Sequence, residues 1–247
     1  MLDLLVGDLP RPARGVFTTR AGGSSPAPWD GLDLALHTGD DPDRVQANRD
    51  LLAHELGLPS ADRLVLGRQV HGAGVCLVSG PAGGAVGLAA TDGLVTSVPG
   101  LALMMLGADC LPVLLADPAA GVVGAAHVGR LGLTAGILLE VLKVMAGVGG
   151  RPERTAAVLG PGVCGSCYEV PEQMAADAEA AAPGSRGATR TGSVSIDLAA
   201  GARRQLERAG LLAVHATGGC TMEQPERFFS YRRDGVTGRH GGVVWLG

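Results

Sequence analysis

The sequence is poor in lysine: Lys143 is the only one in 247 residues, and every other cationic side chain belongs to an arginine. Schiff-base chemistry and the Walker A phosphate loop both depend on a placed lysine, so neither is favoured. Bound anions are therefore expected to contact arginines or backbone amides. The guanidinium group suits that role because it grips phosphate and carboxylate through paired hydrogen bonds.

Excess positive charge and long apolar runs are also missing. The formal net charge is −4 with a pI near 5.8, so a basic nucleic-acid-binding surface is not expected. The longest apolar stretch, residues 101–106, is far too short to span a bilayer, and we expect no membrane partner. The 46% hydrophobic content is enough for a sizeable core. Without internal repeats or clear linkers, residues 1–247 are predicted to form a single catalytic domain.

The five cysteines are an odd number, and the first residues lack the basic region of a secretory signal. Reduced thiols and a cytoplasmic location are therefore expected. Cys164 and Cys167 form a C-x-x-C motif, which alone is a weak signal for metal or redox chemistry, and we interpret the pair as incidental.

Periodicity predicts an α+β fold with a largely antiparallel sheet flanked by helices. Helices are predicted at 42–56 after an Asp41 cap, after a Thr134 cap, from Pro171, and from an Asp197 cap to just before Gly210. The predicted strands are residues 16–19, 63–70, 74–78, 101–106, 112–116, 122–127, 156–159, 212–216 and 242–246.

A hairpin in the middle of the chain predicts a reactive pair. Strands 112–116 and 122–126 flank a turn that begins at Asp117-Pro118. Cys110 and His127 then lie opposite each other, or diagonal if the loop is one residue longer on each side, and on one face in both cases. Such a pair suits half a metal site or a nucleophile with its base, although a buried cysteine beside a structural histidine is the alternative.

Three motifs resemble those of one family: Gln69-Val70-His71-Gly72, Ala108-Asp109-Cys110-Leu111-Pro112-Val113 and Ala125-Ala126-His127. Weaker matches in family order are residues 18–23, 36–42, 160–162, 167–170, 220–221 and 226–235. Members of this family have been described as laccase-domain or polyphenol oxidoreductase proteins and as peptidoglycan editing factors. They are now better described as purine nucleoside phosphorylases with adenosine deaminase activity.

The resemblance implies that His71, Cys110 and His127 bind a catalytic zinc ion, since three protein ligands leave a fourth position open. Copper is less favoured, because a multicopper centre needs many imidazoles and this chain has six scattered histidines. The implied substrates are phosphate and adenosine, inosine or methylthioadenosine, and the protein is expected as a monomer or small homo-oligomer. The implied fold is a β-sandwich with outer helices, similar to the catalytic domain of cytotoxic necrotizing factor.

Four further residues are predicted to bind the substrates. Arg20, ahead of a glycine-rich loop, is our candidate catalytic anion ligand for phosphate. Phe229, Tyr231 and Arg232 lie in a segment rich in aromatics and arginines that could stack on a purine. The same segment could also be a plain edge strand.

The chain departs from the family after His127. The usual Ala-Gly-Trp-Arg-Gly is replaced by Val128-Gly129-Arg130-Leu131-Gly132, which changes the chemistry of the adjoining wall. Two alternatives stay open. One is a thiol hydrolase or amidase linked to peptidoglycan precursor editing, with Cys110 as nucleophile and His127 as base. The other is a non-catalytic protein that binds a nucleoside or a metal.

Overall fold

A computed structural model describes residues 2–81 and 90–247. Its strands are β1 Leu4–Gly7, β2 Ala13–Thr18, β3 Leu64–Val65, β4 Val75–Leu77, β5 Gly93–Thr96, β6 Ala102–Gly107, β7 Leu111–Asp117, β8 Val122–Val128, β9 Ala156–Leu159, β10 Arg186–Ala188, β11 Val194–Ile196, β12 Ala213–Ala216 and β13 His240–Leu246. Its helices are α1 Pro42–Glu55, α2 Arg130–Thr134, α3 Ile137–Gly147, α4 Glu172–Ala181, α5 Leu198–Arg208 and α6 Tyr231–Asp234.

Two large sheets dominate the described part of the chain. One has the order β1-β2-β13-β6-β3 and the other the order β12-β9-β7-β8-β5-β4, while β10 and β11 form a separate hairpin. Most neighbouring strands are antiparallel; the pairs β3–β6, β4–β5 and β9–β12 are parallel. The predicted α+β class with a largely antiparallel sheet is confirmed.

The two sheets pack face to face, and helices cover their outer faces. Alternate residues of β7 show this: Leu114 belongs to the core between the sheets, whereas Val113 and Leu115 pack toward α3 and α5. The other sheet buries its outer face against α1 through residues such as Leu52. Since both faces of the central strands are buried, their sequences are nearly continuous apolar runs.

Helix prediction succeeds at three of the four positions. Asp41 and Asp197 cap α1 and α5 with their side chains, and α4 begins after Pro171. The Thr134 cap is wrong, because Thr134 is the last residue of the short α2. The N-cap of α3 is instead Gly136, whose positive φ of 78° turns the chain into the new helix.

The largest strand error lies at residues 63–70, where only Leu64–Val65 pair as a strand. Beyond them the Gln69 side chain takes the place of a strand backbone, since its amide donates to the Leu106 carbonyl and accepts from the Leu106 N–H. The edge strand considered for the aromatic segment is also wrong, because the chain there forms a loop and then α6. None of the helices in residues 2–81 and 90–247 has the length and hydrophobicity of a membrane-spanning segment.

Candidate metal centre

Of the two loop lengths considered for the β7–β8 hairpin, the structure has the one that is a residue longer on each side. Asp117 pairs with Val122 and Pro112 with His127, so Cys110, two residues before Pro112, lies diagonal to His127. Both residues occupy the face that carries Leu114 further along the hairpin. The pair therefore lies at one end of the core between the sheets.

His71 reaches the same place from the loop after β3. Its φ of 63° is in the left-handed region, which is uncommon for a residue with a side chain. This conformation points three successive amides, those of Val70, His71 and Gly72, at the Asp92 carboxylate, with N···O distances of 2.8–3.2 Å. Strained backbone of this kind persists where the surroundings over-determine it, often at functional sites.

Asp92 also orients the second histidine. Its carboxylate lies 2.8 Å from Nδ1 of His127, and its carbonyl accepts the His127 N–H. With Nδ1 engaged, the Nε2 atom of His127 is left for a ligand. A carboxylate behind a histidine in this way is the usual support of a metal-binding imidazole.

The donor set fits a transition metal. One donor atom each from His71, Cys110 and His127 lies within 4.8 Å of the other two, near enough for the three side chains to share one ion. A Cβ on Gly129 would lie 2.8 Å from the His71 ring and 3.0 Å from the Cys110 sulfur, so only glycine leaves this space open. The three side chains could therefore hold one ion.

The charges of the pair also favour ligation. Burial opposes ionisation of Cys110, but hydrogen bonds from His127 and His71 outweigh it and lower the pKa of the thiol to about 6. Burial likewise opposes protonation of His127, yet Asp92 and Cys110 raise the pKa of its imidazole to about 9. In the metal-free protein the pair is therefore a thiolate beside an imidazolium at neutral pH.

A cavity of about 460 Å³ opens beside the three donors, within the usual range for small-molecule sites. Its lining includes two tyrosines and three arginines: Tyr168, Tyr231, Arg130, Arg232 and Arg239. The guanidinium of Arg232 lies 5.0 Å from the Tyr168 ring centre, and that of Arg239 lies 5.7 Å from the Tyr231 ring centre. The cavity thus combines aromatic surface with cationic hydrogen-bond donors.

Asp109, the residue before Cys110, connects three segments of the cavity wall through hydrogen bonds. Its carboxylate accepts hydrogen bonds from Thr221 Oγ1 at 2.6 Å, Ser230 Oγ at 2.7 Å and the Arg232 amide at 2.7 Å. Its own φ of 104° is a second strained position. These contacts hold the segment that begins α6 against the start of β7.

The structure brings some predicted substrate residues to this cavity and not others. Tyr231 and Arg232 line it. Phe229 is fully buried, and Arg20 stacks on its ring at 4.7 Å. Arg20 also pairs with Asp30 at 2.6 Å and lines a separate depression with Glu226. Arg20 and Phe229 therefore lie outside the cavity of the three metal donors.

Sequence reasoning missed Asp92, Tyr168 and Arg239. Asp92 follows residues that carry no periodic pattern, and only the pairing of β5 with β8 places it beside His127. Tyr168 and Arg239 lie in loops whose partners are distant in sequence. The one available signal in the sequence was Asp92 itself, an acidic residue directly before the apolar strand β5.

Comparisons with known proteins identify the family of this chain. Residues 14–247 match the family described as multi-copper polyphenol oxidoreductase laccase. The chain is 48% identical to "Purine nucleoside phosphorylase ORF3" of Streptomyces griseus, covering 95% of this chain and 94% of the relative. It is 36% identical to "Purine nucleoside phosphorylase YfiH" of Escherichia coli over all of both chains.

Solved structures share this fold. YlmD from Geobacillus stearothermophilus has a TM-score of 0.88 at 31% identity, covering 96% of this chain and 92% of that one. Neisseria meningitidis protein NMB0706 has a TM-score of 0.87 at 33% identity, covering 98% of each chain. Relatives of the chain are named purine nucleoside phosphorylases. The chain belongs to the family described as multi-copper polyphenol oxidoreductase laccase.

Proposed function

We propose that this chain is a zinc-dependent purine nucleoside phosphorylase that acts on adenosine, inosine and methylthioadenosine and also deaminates adenosine. The observation that carries the proposal is a three-donor site of His71, Cys110 and His127 beside a cavity with tyrosine and arginine walls. The names of its relatives support the phosphorolytic activity.

The cavity walls offer side chains that suit phosphorolysis. Phosphate needs cationic donors near the sugar, and Arg130 and Arg232 are the candidates, since guanidinium groups bind phosphate through paired hydrogen bonds. Arg232 is already positioned by the Tyr168 ring. The faces of Tyr168 and Tyr231 offer surfaces for a purine. Arg20 is less favoured as the phosphate ligand because Asp30 neutralises it outside this cavity.

A zinc ion held by the three donors would supply Lewis acidity and bring the pKa of a coordinated water toward about 7, which suits deamination. Asp92 would keep Nε2 of His127 directed at the ion. Cys110, already a thiolate at neutral pH, would bind without loss of a proton.

The test is to incubate the purified protein with each nucleoside, with and without phosphate, and to separate the products by chromatography. We expect free base and a sugar 1-phosphate only when phosphate is present, and inosine from adenosine without it. Absence of phosphate-dependent base release from all three nucleosides would overturn the phosphorylase assignment. Absence of inosine alone would remove only the deaminase activity.

A second function is favoured by the ionised Cys110–His127 pair with Asp92 behind it, an arrangement also found in thiol hydrolases and amidases. Such an enzyme would hydrolyse amides, lose activity when Cys110 is alkylated, and be indifferent to chelators. Amide turnover that survives complete metal removal would support this function over the phosphorylase.

A further inference from the structure

A second group of metal donors lies away from His71, Cys110 and His127. One donor atom from each of Cys164, Cys167, Cys220 and Glu223 lies within 4.8 Å of the other three. We call these residues the three-cysteine cluster. Cys220 is buried, and all three cysteines are free thiols. Three sulfurs and one carboxylate oxygen in reach of each other make a complete tetrahedral ligand set.

Each half of the cluster has the two-residue spacing found in structural zinc sites. Cys164 and Cys167 are separated by two residues, and so are Cys220 and Glu223. The arrangement C-x₂-C followed by C-x₂-E parallels the paired C-x₂-C motifs of structural zinc sites. The C-x-x-C motif that looked incidental in the sequence is therefore half of a four-donor pattern whose second half begins 56 residues later.

Two tight turns present these donors to each other. In the first, the amides of Cys167 and Tyr168 donate to the Cys164 carbonyl at 2.9 and 3.0 Å. In the second, the Glu223 amide donates to the Cys220 carbonyl at 3.2 Å. A parallel bridge between Gly162 and Cys220 aligns the turns. Backbone hydrogen bonds thus order the turns that carry the four donors.

Polar contacts around the cluster also suit a bound cation. The Cys164 amide donates to the Cys220 sulfur at 3.4 Å, a bond that stabilises a thiolate. Cys167 Sγ lies 3.3 Å from a Glu223 carboxylate oxygen, the separation expected of two ligands of one ion. Arg190 forms an ion pair with Glu223 and offsets part of the negative charge that three thiolates and a carboxylate would bring.

We propose that Cys164, Cys167, Cys220 and Glu223 bind a structural zinc ion that joins two loops of the cavity wall. Binding deprotonates the three thiols, whose protons pass to solvent, and changes no oxidation state. Soft thiolate ligands in tetrahedral geometry favour zinc over hard cations such as magnesium.

The two joined loops shape the cavity directly. Tyr168, which follows Cys167, lines the cavity, and so does Val163, which precedes Cys164. Thr221, which follows Cys220, donates to the Asp109 carboxylate at 2.6 Å. A bound ion would therefore hold Tyr168 and Asp109 at a fixed separation without contacting the substrate.

The experiment is elemental analysis of the full chain, expressed in zinc-supplemented medium and dialysed against a mild chelator. With two zinc sites, the wild-type protein should retain about two ions per chain, and Cys110→Ala and Cys220→Ser about one each. Cys76→Ser, which removes a cysteine outside both sites, should match the wild type. One ion per chain in the wild type that disappears in Cys110→Ala would overturn the proposal, whether or not the protein turns over nucleosides.

Cobalt substitution counts the sulfurs and covers the case in which Cys220→Ser does not fold. In Cys110→Ala, cobalt should show an intense thiolate-to-metal charge-transfer band and the visible spectrum of a tetrahedral ion. Glu223→Gln, which keeps all three thiols, should retain that band and release the ion to a chelator at least about tenfold faster. Cobalt without a charge-transfer band in Cys110→Ala would contradict the three-cysteine cluster as a metal site.

Discussion

The two donor groups of this molecule differ in number of donors and in surroundings. His71, Cys110 and His127 form a three-donor site that opens onto a cavity of about 460 Å³. The three-cysteine cluster has four donors on two hydrogen-bonded turns. An open coordination position is what a catalytic metal needs, whereas a full set of protein ligands is typical of a structural one. The difference predicts chemistry at the first site and stability at the second.

The largest effect is expected from Cys110→Ala. Turnover should fall on the order of a thousandfold, because a metal contributes several kcal/mol of transition-state stabilisation. The fold and the zinc of the three-cysteine cluster should persist. Steady-state phosphorolysis measures the turnover, and thermal unfolding measures whether the fold persists. A variant with near wild-type turnover would remove Cys110 from the reaction.

Asp92→Asn should reduce zinc affinity at the open site or activity about 10- to 100-fold, as loss of a carboxylate behind a ligating histidine generally does. Asp117→Asn is the matched control, since Asp117 is equally buried but pairs with Arg154. It should lower the unfolding temperature and leave zinc affinity unchanged. Competition with a chromophoric chelator gives the affinities, and equal losses in both variants would contradict a positioning role for Asp92.

Arg130→Ala should raise the KM for phosphate about tenfold, the loss expected for one charge-assisted hydrogen bond. Arg20→Ala makes the same change outside the cavity and should have little effect. Initial rates at varied phosphate concentration distinguish the two. An increase only in Arg20→Ala would restore the sequence-based prediction and remove Arg130 from the phosphate site.

The smallest expected difference is in proton release. At pH 7 Cys110 is already largely ionised and His127 is protonated, so zinc binding at the open site releases about one proton. Burial raises the pKa of Cys164 and of Cys167, so zinc binding at the three-cysteine cluster releases one proton from each of these two thiols. Because protons compete with zinc, affinity should fall with decreasing pH more steeply at the cluster.

Zinc titration of metal-free Cys220→Ser and Cys110→Ala with a pH indicator measures the two sites separately. Equal proton release from the two variants would contradict the difference in ionisation.

Sequence patterns predicted what depends on neighbouring residues. The hairpin at Asp117 placed Cys110 and His127 on one face in either register, so the pair did not depend on the exact loop length. The caps at Asp41 and Asp197 were also local and correct. The family resemblance added His71 to the predicted metal ligands, because no local sequence pattern linked this residue to the hairpin.

Features that depend on strand order were not predictable from the sequence alone. Asp92 lies beside His127 only because β5 pairs with β8. Cys220 meets Cys164 only because a parallel bridge joins two distant loops. Arg20 precedes a suitable glycine-rich loop, yet the fold directs it to Asp30 and away from the cavity. The resemblance to the cytotoxic necrotizing factor fold and the single-domain organisation stay predictions.

The most direct test of the central claim is to remove all metal from the wild-type protein and add zinc back in steps while following phosphate-dependent inosine cleavage. We expect no turnover in the metal-free protein. Recovery should depend on zinc at the site of His71, Cys110 and His127, and Cys110→Ala should not recover. Full turnover by the metal-free protein would contradict it.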